Sequence, residues 1–198
     1  MGKTWLDIRT RTLNLGFEKS KAYDKNRQSY IDAYNWAQSF IAATQGVVTA
    51  RLTVEKENDD FPLVADLHAL AKEAGEEFSA LAQTGITDAA TGQRIPAALV
   101  SDNRYLHLPA NFKGRAVVNF LSLPREIDIM TADSYESPLP AKWAAIMPYL
   151  MASRLYLDDD RGKAGYYWNL FDDMKDSILA RESVPLATVT VTEEGGYE

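Results

Sequence analysis

The chain has 198 residues, 46% of them hydrophobic, which is enough for one ordinary domain with a sizeable core. Its 21 basic and 28 acidic residues leave a net charge of −7, which argues against general nucleic-acid binding, and the absence of cysteine removes disulfides, thiolate metal sites and thiol nucleophiles. The first residues, MGKTWLDIRTRTLN, lack an apolar signal core, and no segment approaches the roughly 20 apolar residues of a membrane helix, so a soluble protein made in a cytosol is expected.

In chain order, the first predicted element is a short helix over 4–15, with Trp5, Ile8, Thr12 and Leu15 on one side and Gly16 as its stop. A longer helix is predicted over 25–45, where Tyr30, Ile31, Tyr34, Ala37, Ile41 and Ala42 recur every three or four residues and Gly46 supplies the cap. The period then changes to two: Val48, Ala50, Leu52 and Val54 alternate with polar residues, which reads as a half-buried strand over 47–55. After the charged turn EKENDD, residues 61–81 fit a helix with Leu67, Leu70, Ala74, Phe78 and Leu81 inward, or a strand followed by a helix; the mostly helical reading is preferred.

Residues 83–93, QTGITDAATGQ, read as a loop or hairpin tip. Strands are predicted over 97–100, 105–108 and 115–123, broken at Ser101-Asp102-Asn103 and at 109–114. Two helices follow, over 140–157 and 161–181, joined by Leu157-Asp158-Asp159-Asp160. The first carries Trp143, Ile146, Met147, Leu150 and Leu155 on a broad stripe, and the second carries Tyr167, Leu170, Phe171, Met174 and Ile178. The carboxylates stand where an Asp caps free amides and meets the positive end of a helix dipole. Pro148 removes one hydrogen bond inside the first of these helices, so a bend or a break is expected there.

The expected fold is therefore α+β: one domain over 1–183, mainly helical around a small antiparallel sheet within 47–123, then an extended arm over 184–198. In that last segment Leu186, Val189 and Val191 lie in a run of strand-like alternation, and an acidic end holds Tyr197. It reads either as a last strand of the protein's own sheet or a disordered tail, or, equally, as an arm that pairs with a neighbouring subunit or another virion protein by strand addition.

Catalytic signals are thin. His68 and His107 are far apart in sequence and neither sits in a metal-binding motif; His107 alternates with Leu106 and Leu108, so it faces solvent or a subunit boundary. Three consecutive Asp at a helix start point in different directions and are explained as cap and solvated charge rather than as metal ligands. There is no GxSxG elbow, phosphate loop or dinucleotide fingerprint, so no catalytic, cofactor or metal residue is named and the chain reads as a non-enzyme. Tyr166, Tyr167 and Trp168 fan around a helix; Tyr167 reads as core, and Tyr166 and Trp168 as interface anchors.

The run Leu139-Pro140, Trp143, Pro148-Tyr149, Ala152, Leu155 and Asp158-Asp159-Asp160 resembles the C-terminal part of the head-to-tail adaptor proteins, or neck and connector proteins, of tailed bacteriophages. Ser29 to Gln38 with Ile41 to Thr44 is similar to that family's long first-domain helix, and Arg104 to Pro124 to its pair of strands ending in a proline. The resemblance implies a structural virion protein of the neck, with copies closing into a twelvefold ring beneath the portal protein, contacting downstream neck or tail proteins, and passing genomic DNA through its lumen without sequence-specific binding. It implies no membrane association and no cofactor. Expected contact residues are Trp143, Met147, Tyr149, Tyr166 and Trp168 on the helices, and Leu186, Val189, Val191 and Tyr197 in the arm. Alternatives are a tail terminator or completion protein, a carbohydrate-binding tail accessory protein and, ranked last, a metal-dependent hydrolase acting through His68 or His107.

Overall fold

The computed structural model describes residues 2–16, 21–57 and 61–182. Residues 184–198, with the expected contacts Leu186, Val189, Val191 and Tyr197, lie outside the described residues.

Helix α1 (Trp5–Leu13) starts in a capping box: the Thr4 hydroxyl accepts the Asp7 amide at 3.2 Å, and the Asp7 carboxylate accepts the Thr4 amide at 3.2 Å. The Thr4 amide first, and the Thr4 side chain after it, hold the Asp7 carboxyl below the usual carboxylate range. The helix expected over 25–45 is α3 (Arg27–Gln45), and a short α2 (Lys21–Lys25) precedes it, parted from it at Asn26, whose φ of −120° and ψ of 24° are not helical. Gly46 ends α3 in the left-handed conformation at φ +58°, as its position in the sequence indicated.

Two three-stranded antiparallel sheets follow in place of one. The first has order β1-β6-β3, from Thr49–Lys56, Gly114–Leu123 and Glu77–Asp88. The second has order β2-β5-β4, from Leu63–Asp66, Tyr105–Leu108 and Ala98–Val100. The mostly helical reading of 61–81 is corrected: only α4 (Leu67–Glu73) is helical, between β2 and β3. The helical spacing there is real only as far as Leu67 and Ala71, which α4 buries; Gly75 at φ +78° then turns the chain, and Phe78 is buried from a strand. The expected loop over 83–93 is shorter too, because β3 runs on to Asp88. Ser101, Asp102 and Asn103, all with positive φ, make the turn between β4 and β5.

The hairpin of α5 (Ala141–Tyr156) and α6 (Arg161–Glu182) closes the fold, and an ion pair between Lys142 and Glu182 joins its open end. Pro148 lies inside α5 without ending it, and is buried. The core has two parts. Trp5, Ile8, Ile31, Tyr34, Ile41, Trp143, Met147, Leu150 and Phe171 pack between the helices, while Leu52, Val54, Leu67, Phe78, Ile86, Leu106, Leu108, Val118 and Phe120 pack between the sheets and α4.

Candidate subunit interface

Of the three acidic side chains in the elbow before α6, Asp160 is the one that caps the helix. Its Oδ1 accepts the Lys163 amide at 3.0 Å and its carbonyl accepts the Ala164 amide at 2.9 Å, which makes it the N-cap of α6. Asp158 and Asp159 are exposed, and the Asp159 and Asp160 amides both donate to the Tyr156 carbonyl, closing the turn. Helix α6 buries only Ala164 and Phe171, so most of its length faces outward.

The structure divides the expected contact residues. Trp143 and Met147 are each 0% exposed and belong to the helical core, so they are corrected from contact residues to packing residues. The reason is geometric: the stripe that carries them is the one α5 turns toward α1 and α3, and a wide apolar stripe on a helix between two others has no free side. Tyr149 is half-buried against the same core. Tyr166 at 59% and Trp168 at 38% exposure stand on the surface of α6.

Two positions apart on a helix is roughly 200° of rotation, so Tyr166 and Trp168 join different clusters. On one side Tyr166 meets Tyr167 edge-on with centroids 5.3 Å apart, and Tyr167 stacks on Tyr156 at 5.8 Å. Lys163 Nζ stands 5.0 Å from the Tyr156 ring, and the Tyr167 hydroxyl donates to the Leu15 carbonyl. Gly16 is needed beside this cluster: its φ is +111°, and a Cβ there would come within 3.0 Å of the Tyr156 hydroxyl. Burial and the neighbouring tyrosines push the Tyr167 hydroxyl up. On the other side Trp168 meets Phe40 edge-on at 5.7 Å, Phe40 stacks on Trp36 at 5.6 Å, and the Arg154 guanidinium lies 5.7 Å from the Trp36 ring. Phe171 sits beneath, 6.4 Å from Phe40.

Sequence reasoning missed the partners of Trp168. Trp36 and Phe40 are four apart on α3 and half-buried, a pairing visible in the sequence but masked by the stronger apolar stripe beside it. It also missed an exposed tip. Ile129 at 51% and Met130 at 84% exposure project from the loop after β6, where the Asp128 carboxylate accepts the Met130 amide at 2.9 Å and Arg27 donates to the Ile129 carbonyl at 2.6 Å.

The histidines are in separate places. His68 is exposed on α4 with its ring 5.2 Å from Phe78, and His107 is half-buried on β5, opposite Val64 and Ala98. Among the described residues no group of three or more His, Asp or Glu is placed to hold a metal ion. Nor is any helix among them long and apolar enough to cross a membrane. The chain matches no protein-family model and no curated protein.

Proposed function

We propose that the chain is a structural subunit of the neck of a tailed-bacteriophage virion, a head-to-tail adaptor whose copies close into a ring between portal and tail. The observation that carries the reading is the placement of unlike aromatic clusters on opposite sides of α6: Tyr166 with Tyr156 and Tyr167 on one, Trp168 with Trp36 and Phe40 on the other. A closed ring built from one kind of subunit is heterologous, one patch of each copy meeting a different patch of the next. Exposed aromatic side chains held on a rigid helix are what such contacts bury most profitably. The resemblance of residues 139–160 to adaptor proteins supplies the class, and those residues build α5 and the elbow that leads into α6.

In this reading the ring is twelvefold, and its partners are the portal, downstream neck or tail proteins and the passing DNA. Native mass spectrometry of the full chain mixed with the portal protein of the same genome tests it. Twelve copies on one portal ring are expected. Six copies without portal binding would shift the assignment to a tail terminator, and a monomer indifferent to the portal would overturn the ring.

A further inference from the structure

The sheet β1-β6-β3 turns Leu52, Val54, Val118 and Phe120 inward and leaves Thr49, Arg51, Thr53 and Glu55 exposed on its other face. On that face Arg51 stands opposite Asn119, and Glu55 stands opposite Arg115, with which it forms an ion pair at 3.6 Å. A regular β3 would place one residue on the far side of Asn119. Instead its ladder with β6 passes from Leu81↔Phe120 to Ile86↔Val118, so that Ala82, Gln83, Thr84 and Gly85 stand against Asn119 alone. The surplus residues bulge outward, and Gly85, at φ +63°, brings the strand back into register.

The bulge creates a cleft of about 430 Å³, bounded by Thr49, Ala50 and Arg51 on β1, by Ala82, Gln83 and Thr84 on β3, and by Asn119 between them. Asn119 is committed to the walls: its Oδ1 accepts from Arg51 Nε at 3.3 Å and its Nδ2 donates to the Gly85 carbonyl at 3.5 Å. That aims the guanidinium and leaves its two terminal amino groups free of any hydrogen bond or ion pair to another described residue. The Thr49 and Thr84 hydroxyls and the Gln83 carboxamide likewise have no hydrogen bond among the described residues. No residue lining the cleft is acidic, although acidic residues outnumber basic ones 28 to 21 in the chain. Arg94 brings a second guanidinium beside the bulge, with Nε and one terminal nitrogen 3.7 Å from the point where a Gly85 Cβ would lie.

We propose that this cleft is an oxyanion site that takes a phosphate group, with Arg51 supplying the charge and Thr49, Thr84 and Gln83 the neutral donors. A guanidinium fixed at Nε presents a planar pair of donors that matches two oxygens of a phosphate, and a fork already oriented loses less freedom on binding. Solvent access keeps the contact weak and salt-sensitive. The phosphate belongs either to a small anion or to a nucleic-acid backbone, which offer the same oxygens. The site stands on the sheet geometry and is independent of the neck assignment.

The test is a titration of the ¹⁵N-labelled full chain with sodium phosphate, matched against sodium chloride, and then with a short DNA duplex. Phosphate, and not chloride, should move the amide signals of Thr84, Gly85 and Asn119 together with the Arg51 Nε signal. Arg51→Gln should weaken the response about tenfold. Gln83→Glu, which leaves Asn119 and its bonds in place, should abolish it while the remaining spectrum stays that of the folded chain. If DNA moves the same signals, the phosphate is that of a nucleic-acid backbone; if only inorganic phosphate does, it is a small anion. Absence of a localised response to phosphate, an equal response to chloride, or an undiminished response in Gln83→Glu would overturn the site.

Discussion

Asn35 and Ile127 bond to each other at two points: Asn35 Nδ2 donates to the Ile127 carbonyl at 2.9 Å, and the Ile127 amide donates to Asn35 Oδ1 at 2.9 Å. A side chain of α3 thus pairs with the backbone as a neighbouring strand would. One helical turn on, Gln38 Nε2 donates to the Arg125 carbonyl at 2.9 Å, so two carboxamides seat the irregular chain after β6 against the helix. Asn35→Ala removes both bonds at Ile127 and leaves an amide and a carbonyl unpaired in a half-buried place, a loss of about 2 kcal/mol. Urea denaturation of the variant should show that loss as a lower midpoint with an unchanged slope.

Buried and exposed aromatic residues should respond differently to truncation. Trp143→Ala empties a fully buried site and should cost about 3–5 kcal/mol. Tyr166→Ala acts on the more exposed ring and should cost under about 1 kcal/mol of stability, while Trp168→Ala, which also gives up the contact with Phe40, should cost about 1–2 kcal/mol. Thermal melts of the three variants check this; a Trp143→Ala protein as stable as wild type would contradict the packing.

The acidic elbow should respond unevenly. Asp160 caps α6, so Asp160→Ala should destabilise by about 1 kcal/mol. Asp158→Ala and Asp159→Ala, which remove solvated charges, should stay within about 0.5 kcal/mol. Denaturant midpoints across the three alanine variants measure the difference.

High pH should destabilise the fold through two tyrosines of α3. Burial pushes the Tyr30 hydroxyl up to about 12 and also raises Tyr34, so both stay neutral in the fold at a pH where the unfolded chain ionises them. Their contribution is therefore complete below about pH 10 and is lost as pH rises from there through the folded values, at up to about 1.4 kcal/mol per pH unit for each tyrosine. Urea midpoints followed upward from pH 8 should fall past about pH 10, and Tyr30→Phe should make the fall shallower.

How far the fold can be read from the sequence depends on whether local pattern and tertiary environment agree. For α5, α6 and β5 they do: a wide apolar stripe, an Asp cap and strict alternation each specify one structure, and the observed bounds fall within a residue or two of the expected ones. Between Phe61 and Asp88 they conflict. Leu67, Leu70, Ala74, Phe78 and Leu81 keep helical spacing across a break at Gly75 that only the pairing of β3 with β6 reveals. The seating of residues 125–127 was invisible for another reason, since Asn35 and Gln38 look like ordinary polar positions on a helix until the backbone they bind is in place. For the contact residues, spacing identified the stripe holding Trp143 and Met147 without telling an inward stripe from an outward one, while the fan of Tyr166 and Trp168 could be read from helix geometry alone.

Sedimentation velocity tests most directly the proposal that α6 joins this chain to its neighbours in a portal-bound ring. The portal ring of the same genome would be run with the wild-type chain and with a Tyr166→Ala/Trp168→Ala variant shown by circular dichroism to be folded. The wild-type chain should co-sediment with the portal and the variant should remain free. A wild-type chain that stays apart from the portal, or a variant that travels with it equally well, would contradict the proposal.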